Sequence, residues 1–291
     1  MKFLVESKYL FLLSIVLGLL LPNIASKLEF IILPLLIIMM TVSIKDVAFR
    51  HISMKDTEEI TSFVLLNYVL LGGLYVLAAY FIDSPYKEAL IILGLMPPAV
   101  GVISLSKLLH GNIKISFLTE FVSYAIAIAF IPIASTFIFG EGFKVLKILE
   151  VVGIIIVIPY ILSRFIHNYE LKHPQKHDYT KIIVNICYSL TFFMIIGMNR
   201  EHIFNFTNFY EIYIILILLK FGFGTLLYFI FKNKLKREDT VLLVLFSTFK
   251  NGGMAIAFTL ILFGSLATVP FAINGITTPL YILYLEWLFK E

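Results

Sequence analysis

Long apolar runs alternate with short polar connections along the chain. The runs are Lys8–Leu21, Phe30–Ile44, Ile60–Ile82, Ala89–Leu109, Ile113–Phe139, Val145–Ile166, Ile182–Met198, Tyr210–Phe231, Thr240–Phe263 and Pro270–Phe289. An α-helix rising about 1.5 Å per residue needs roughly twenty residues to cross a hydrocarbon core of roughly 30 Å. The pattern therefore predicts an all-α polytopic membrane protein of about ten spans. The first run is read as a span rather than a signal peptide. Ala25-Ser26 makes a poor cleavage site, and many more spans follow.

Two runs are interrupted. The fourth holds Pro97-Pro98-Ala99-Val100-Gly101, and proline removes backbone donors and clashes with the preceding turn. The ninth holds Ser247-Thr248-Phe249-Lys250-Asn251-Gly252-Gly253. A lysine at the bilayer centre costs roughly 2.5–3.5 kcal/mol on insertion scales, and each glycine weakens a helix by about 1 kcal/mol relative to alanine. Backbone freed from a helix in lipid needs protein or water to satisfy it. Both stretches read as broken helices whose exposed backbone lines a site. Apolar residues on both sides of Lys250 favour a cavity-facing amine over one snorkelling to an interface.

The breaks fall at corresponding places in two halves, about 1–140 and 141–291. With an odd number of spans per half, the second copy is inverted, and the whole forms one membrane domain. Charge sets the orientation. Only Lys27, Lys87, Lys144, Lys147 and Arg200 fall on one side of the alternating connections, and most other lysines and arginines fall opposite. The rich side is read as cytoplasmic, with both termini on it. The location expected is the cell membrane, inner or plasma.

Composition narrows the class further. Hydrophobic residues make up 60% of the chain and charged residues only 14%. A soluble exterior could not be built from that mixture. The net charge of +4 reports topology rather than nucleic-acid binding. Cys187, the one cysteine, packs as a small hydrophobe. His167, His173 and His177 fall in a polar loop, His167–Lys181, and read as solvated rather than metal-binding. Asn205-Phe206-Thr207 matches a glycosylation sequon, which matters only in a secretory pathway. The chain carries no zinc-protease, nucleophile-elbow or phosphate-loop pattern, so an enzyme is not expected.

Two more charges lie inside spans. Glu120, in the fifth, either pairs with Lys250 or sits wet near the cytoplasmic interface. Lys220, in the eighth, has no partner evident from sequence; a substrate anion, Glu120 or a helix carbonyl end would serve. The adjacent Gly222 and Gly224 read as packing residues.

Three stretches resemble the bile acid:sodium symporter family, within the broader group that includes arsenite exporters and auxin efflux carriers. They are Leu35 to Lys45, at the end of the second span; Pro97-Pro98 through His110-Gly111-Asn112; and Lys250-Asn251-Gly252-Gly253-Met254-Ala255, similar to the family's Gln-Asn-Ser-Gly-Leu-Ala. The resemblance implies ten spans in a panel and a core domain, broken helices 4 and 9 crossing in the core, substrate bound beside the crossing, and alternating access. It also locates sodium ligands, and there the sequence departs. Val102 and Ile103 stand for a Ser-Asn pair, and Phe246 and Lys250 for a glutamate and a glutamine. Glu120 replaces one hydroxyl of a pair whose other member matches Ser116, and Asn67 matches a further amide. Apolar side chains offer sodium no oxygens, and an ammonium repels it.

The reading that follows is a secondary transporter of a small organic anion, not coupled to sodium and needing no cofactor. Lys250 acts as a tethered cation or proton-coupling site. Asn67, Ser116, Glu120, Lys220, Pro97, Pro98, Gly101, Asn251, Gly252 and Gly253 complete the candidate site. The alternatives are a sodium-coupled symporter with altered sites, and a sensor or scaffold that keeps the fold without transport. The arsenite branch has a cysteine near the first break, where this chain has Met96. The lipid bilayer and the anion are the expected partners, and nucleic acid is not.

Overall fold

The computed structural model describes residues 7–43, 45, 54–140, 145–172, 179–204 and 206–290. Among them there are helices and no strand. In chain order the main helices are α1 (Ser7–Leu20), α2 (Ile32–Ser43), α3 (Asp56–Ala79), α4 (Tyr86–Leu95), α5 (Gly101–Leu108) and α6 (Ile113–Phe139). They continue with α7 (Leu146–Lys172), α8 (Thr180–Met198), α9 (Asn208–Phe231), α10 (Arg237–Phe246), α11 (Gly252–Phe263) and α12 (Val269–Leu288). Among the described residues six are long and apolar enough to cross a membrane: α3, α6, α7, α8, α9 and the stretch Leu266–Leu288 containing α12.

The two interrupted runs give the pairs α4/α5 and α10/α11. At the first break Met96 is extended (φ −70°, ψ 153°), because a following proline disfavours helical backbone at the residue before it. The second break contains no proline. It ends at Asn251, whose side-chain oxygen accepts a hydrogen bond from Met254 N at 2.9 Å and so caps α11. Asn112 caps α6 in the same way, through Ile115 N at 3.2 Å. Both α6 and α11 stop at a glycine with positive φ, Gly140 (78°) and Gly264 (83°), a conformation open to glycine and strained for other residues.

Three helices widen locally into π-helix: α3 over Leu66–Leu71, α7 over Gly153–Val157 and α9 over Leu218–Gly222. A π segment adds a residue to one turn and rotates the side chains that follow. Asn67 and Lys220 both lie in such segments, and both are buried.

The helices pack in two groups. α8 lies against α1 and α2, and α7 against α2. Glycine permits close approach there: a Cβ on Gly197 would stand 2.3 Å from Cβ of Ala25, in the short helix Pro22–Lys27. The other group is built on α3 against α4 and α6, α5 against α6 and α10, and α4 against α11. The largest apolar cluster joins the groups, running from Ile32 and Leu36 of α2 through α4 and α8 to Phe258 of α11 and Phe271 of α12.

The structure corrects one segment. The polar loop read over His167–Lys181 begins later, because α7 continues to Lys172. His167 and Glu170 are therefore helical, and both oxygens of the Glu170 carboxylate accept from Lys45 Nζ at 2.7 Å. That ion pair lets the polar turns of α7 remain helical. His173, His177 and the Asn205 sequon residue lie outside the described residues.

Candidate functional site

The two breaks meet. The amide of Asn251 donates to the Pro97 carbonyl at 2.8 Å, joining the backbone of the second break to that of the first. Tyr124 of α6 ties them again: its hydroxyl accepts from Asn251 Nδ2 and donates to the Pro98 carbonyl at 3.4 Å. Pro97 and Pro98 are both buried. Gly252 and Gly253 open α11 beside them in close quarters. A Cβ on Gly253 would lie 3.0 Å from Leu36 Cδ2, and one on Gly252 3.5 Å from Asn274 Nδ2.

Lys250 turns into this junction and is only 7% exposed. Its ammonium donates to Asn67 Oδ1 and to the Met96 carbonyl, both at 2.9 Å. The Tyr68 ring lies 5.0 Å from Nζ, within cation–π range. Met96 offers its carbonyl because the break before Pro97 removes the helical donor that would have used it. The Asn67 amide serves the other break: its Nδ2 donates to the carbonyls of Phe246 at 2.8 Å and Phe249 at 3.1 Å. The first of these ends α10, where helix carbonyls lack intrahelical donors. A buried lysine amine is thus held by neutral oxygens and an aromatic face.

Glu120 is not its partner. The pairing of Lys250 with Glu120 weighed from sequence is not formed, and no ion pair joins them among the described residues. Glu120 is 4% exposed, which also removes the alternative of a wet carboxylate at the interface. Its Oε2 is buried with no hydrogen-bond partner among the described residues. Ser116, one turn earlier on α6, accepts from Ser106 of α5 at 3.0 Å.

Lys220 finds partners that sequence reasoning missed. Its ammonium donates to Asn274 Oδ1 at 2.5 Å and to Thr278 Oγ1, both on α12. Asn274 is also the residue facing Gly252, so Lys220 is one side chain removed from the first turn of α11. Gly224, by contrast, is packing: a Cβ there would stand 2.2 Å from the Tyr281 hydroxyl. Gly101 stands apart from this junction; it is exposed, and a Cβ on it would meet nothing within 4 Å.

The other missed residues are Tyr124, Tyr68 and the Met96 carbonyl. Tyr124 had a signal, since Ser116, Glu120 and Tyr124 recur every fourth residue and so share one face of α6. Asn274 and Thr278 had the same spacing in an otherwise apolar run.

The sequence profile of the sodium bile acid symporter family matches residues 28–208. The chain belongs to that family. It is accordingly a member of a transporter family, in accord with its membrane-length helices. No curated protein matches the chain. The sodium bile acid symporter match takes in the first break and stops short of the second, whose place in the site rests on the contacts above. Of the positions that the resemblance gives as sodium ligands, Val102 and Phe246 are fully buried in one apolar cluster, with Phe246 stacked on Phe63 at 5.5 Å. Neither side chain presents an oxygen.

Proposed function

We propose that the protein is a secondary transporter that moves a small organic anion by alternating access, without sodium coupling, using Lys250 as a built-in cation. The single observation behind this reading is the setting of the Lys250 ammonium, 2.9 Å from one side-chain and one main-chain oxygen at the junction of two broken helices. Neutral oxygens converging on a buried point suit a hard monovalent cation. Here a tethered ammonium occupies that point, and the apolar Val102 and Phe246 stand where further sodium ligands are implied. Its fixed charge and the start of α11 attract an anion to the junction. Asn251 joins the two breaks, and Asn274, which accepts from Lys220, faces Gly252 at the start of α11.

The architecture that serves this function is ten spans, in inverted repeats over about 1–140 and 141–291. The first packing group is the panel and the second the core. Matching features support the repeat: a π segment carrying an inward polar residue in α3 and in α9, and a break in each half. Both termini lie on the cytoplasmic side of the cell membrane, a reading supported by the lysine and arginine distribution. If Lys250 gives up its proton during the cycle, transport is coupled to the pH gradient; if it keeps it, transport is uncoupled from both ions.

One observation favours a second reading, cation-coupled symport through an altered site. The unpartnered Glu120 oxygen is a place for a sodium ion or a proton. Proteoliposome uptake of a panel of labelled organic acids, with sodium and pH gradients imposed separately, decides between them. Uptake that ignores sodium and is lost in Lys250→Ala supports the tethered cation. Uptake driven by a sodium gradient overturns it, and absence of flux for every acid favours a sensor or scaffold.

A further inference from the structure

The ends of α9, α10 and α12 surround a groove that the transport reading leaves unused. One compartment of about 250 Å³ is lined by Tyr228, Lys232, Arg237, Thr240, Phe289 and Lys290. A second, of about 380 Å³, shares Tyr228, Lys232 and Lys290 and adds Phe229, Trp287 and Leu288. Cations therefore converge from three separate helix ends, and among the described residues no acidic side chain lines either compartment. A concave surface that gathers positive charge raises the local concentration of anions. Two of the cations are held in place. Arg237 donates to the Phe289 carbonyl at 2.7 Å, and Lys232 Nζ sits 4.5 Å from the centroid of the Phe229 ring.

The surface running away from the cations is apolar and bare. Phe229 is 56% and Trp287 67% exposed. Leu226 and Leu283, each about one turn further into the helices, are likewise exposed. A free anion would need only the basic end. A ladder of exposed aliphatic and aromatic side chains beside that end matches a molecule with a charged head and hydrocarbon tails, and tryptophan at such a boundary is typical of the headgroup level.

We propose that this groove binds an anionic phospholipid, its phosphodiester against Lys232, Arg237 and Lys290 and its acyl chains along Leu226, Phe229, Leu283 and Trp287. Juxtamembrane cations attract anionic lipid by about 1 kcal/mol each. The site lies apart from the Lys250 junction, and its test does not depend on transport.

The full chain is purified in detergent and titrated with phosphatidylglycerol or phosphatidylcholine, bound lipid being read by native mass spectrometry. The expected result is preferential retention of phosphatidylglycerol. In Lys232→Gln/Lys290→Gln its affinity falls about thirtyfold, the equivalent of about 1 kcal/mol for each cation removed. Lys107→Gln/Lys172→Gln, which removes exposed lysines outside the groove, leaves affinity unchanged. Arg237 is kept in the double variant because its hydrogen bond to Phe289 supports the fold. If that variant still misfolds, Lys290→Gln alone carries the test, with about a fivefold loss expected. Equal retention of the two lipids overturns the proposal, as does equal loss in the control pair. Displacement of phosphatidylglycerol by equimolar inorganic phosphate overturns the lipid assignment in favour of a phosphate site.

Discussion

Asn67 and Lys250 share one hydrogen bond that commits both ends of an amide. Oδ1 of Asn67 accepts from the ammonium at 2.9 Å while Nδ2 holds the carbonyls of Phe246 and Phe249. Removing either residue strands different groups. Lys250→Met leaves Asn67 Oδ1 and the Met96 carbonyl without a donor, at about 1–3 kcal/mol. Asn67→Leu strips the ammonium of a partner and uncaps the end of α10, a larger loss of about 2–5 kcal/mol. The double variant is destabilised by less than the sum, with coupling of about 0.5–3 kcal/mol. Unfolding in detergent on all four proteins measures this, and additive losses would mean that the bond does not hold the breaks together.

Gly72 and Gly73 make a matched pair on α3. A Cβ on Gly72 would stand 2.7 Å from the Gly94 carbonyl of α4 and 3.5 Å from Lys250 Nζ. A Cβ on Gly73 would meet nothing within 4 Å. Gly72→Ala forces α4 away from α3 beside the candidate site, at about 1–3 kcal/mol, and reduces transport. Gly73→Ala gains helix propensity and raises stability by up to about 1 kcal/mol. Thermal unfolding of the two variants gives opposite signs. Equal shifts would show that the helices do not approach this closely.

Where the chain spells out its own stops, the sequence reading and the structure agree. Ile113–Phe139 coincides in both, because Asn112 caps one end and Gly140 terminates the other. The end of α7 was misplaced because His167 and Glu170 look like loop residues until Lys45, distant in sequence, is seen to pair with Glu170. The breaks were legible from proline, glycine and a stranded lysine. Their contacts were not, since nothing local to Asn251 announces that its amide meets the Pro97 carbonyl. The π segments left no trace at all. They arise where tertiary contacts favour an extra residue in a turn, and Leu66–Leu71 reads like any apolar stretch apart from Asn67.

Glu120 is a burden on stability rather than a support. Its carboxyl is buried, and Oε2 has no partner among the described residues. Glu120→Gln keeps the shape and replaces a buried carboxyl whose Oε2 has no partner among the described residues, so the expected change is neutral or stabilising, with any loss under about 0.5 kcal/mol. Thermal unfolding beside Lys250→Met makes the comparison. A drop as large as that of the lysine variant would mean that the carboxylate holds a bound cation or proton that the fold depends on.

The sharpest consequence concerns sodium. Wild-type protein carries its own ammonium against Asn67 Oδ1 and the Met96 carbonyl, so sodium finds the point filled and its charge repelled. Lys250→Gln removes that charge and supplies an amide oxygen, restoring the residue type that the family resemblance implies at this position. Two oxygens already converge there, and the new one adds a third to a cation that prefers oxygen ligands. The variant is less stable than wild type without sodium, and its unfolding temperature rises with added sodium but not with choline. Wild type shows no such rise. A reciprocal test follows in vesicles, where a sodium gradient drives anion uptake by Lys250→Gln and leaves wild type unmoved. A sodium-dependent shift in wild type would show that the ammonium does not take the metal's place. No shift in the variant would show that Asn67 and Met96 form a lysine clamp and not a cation site.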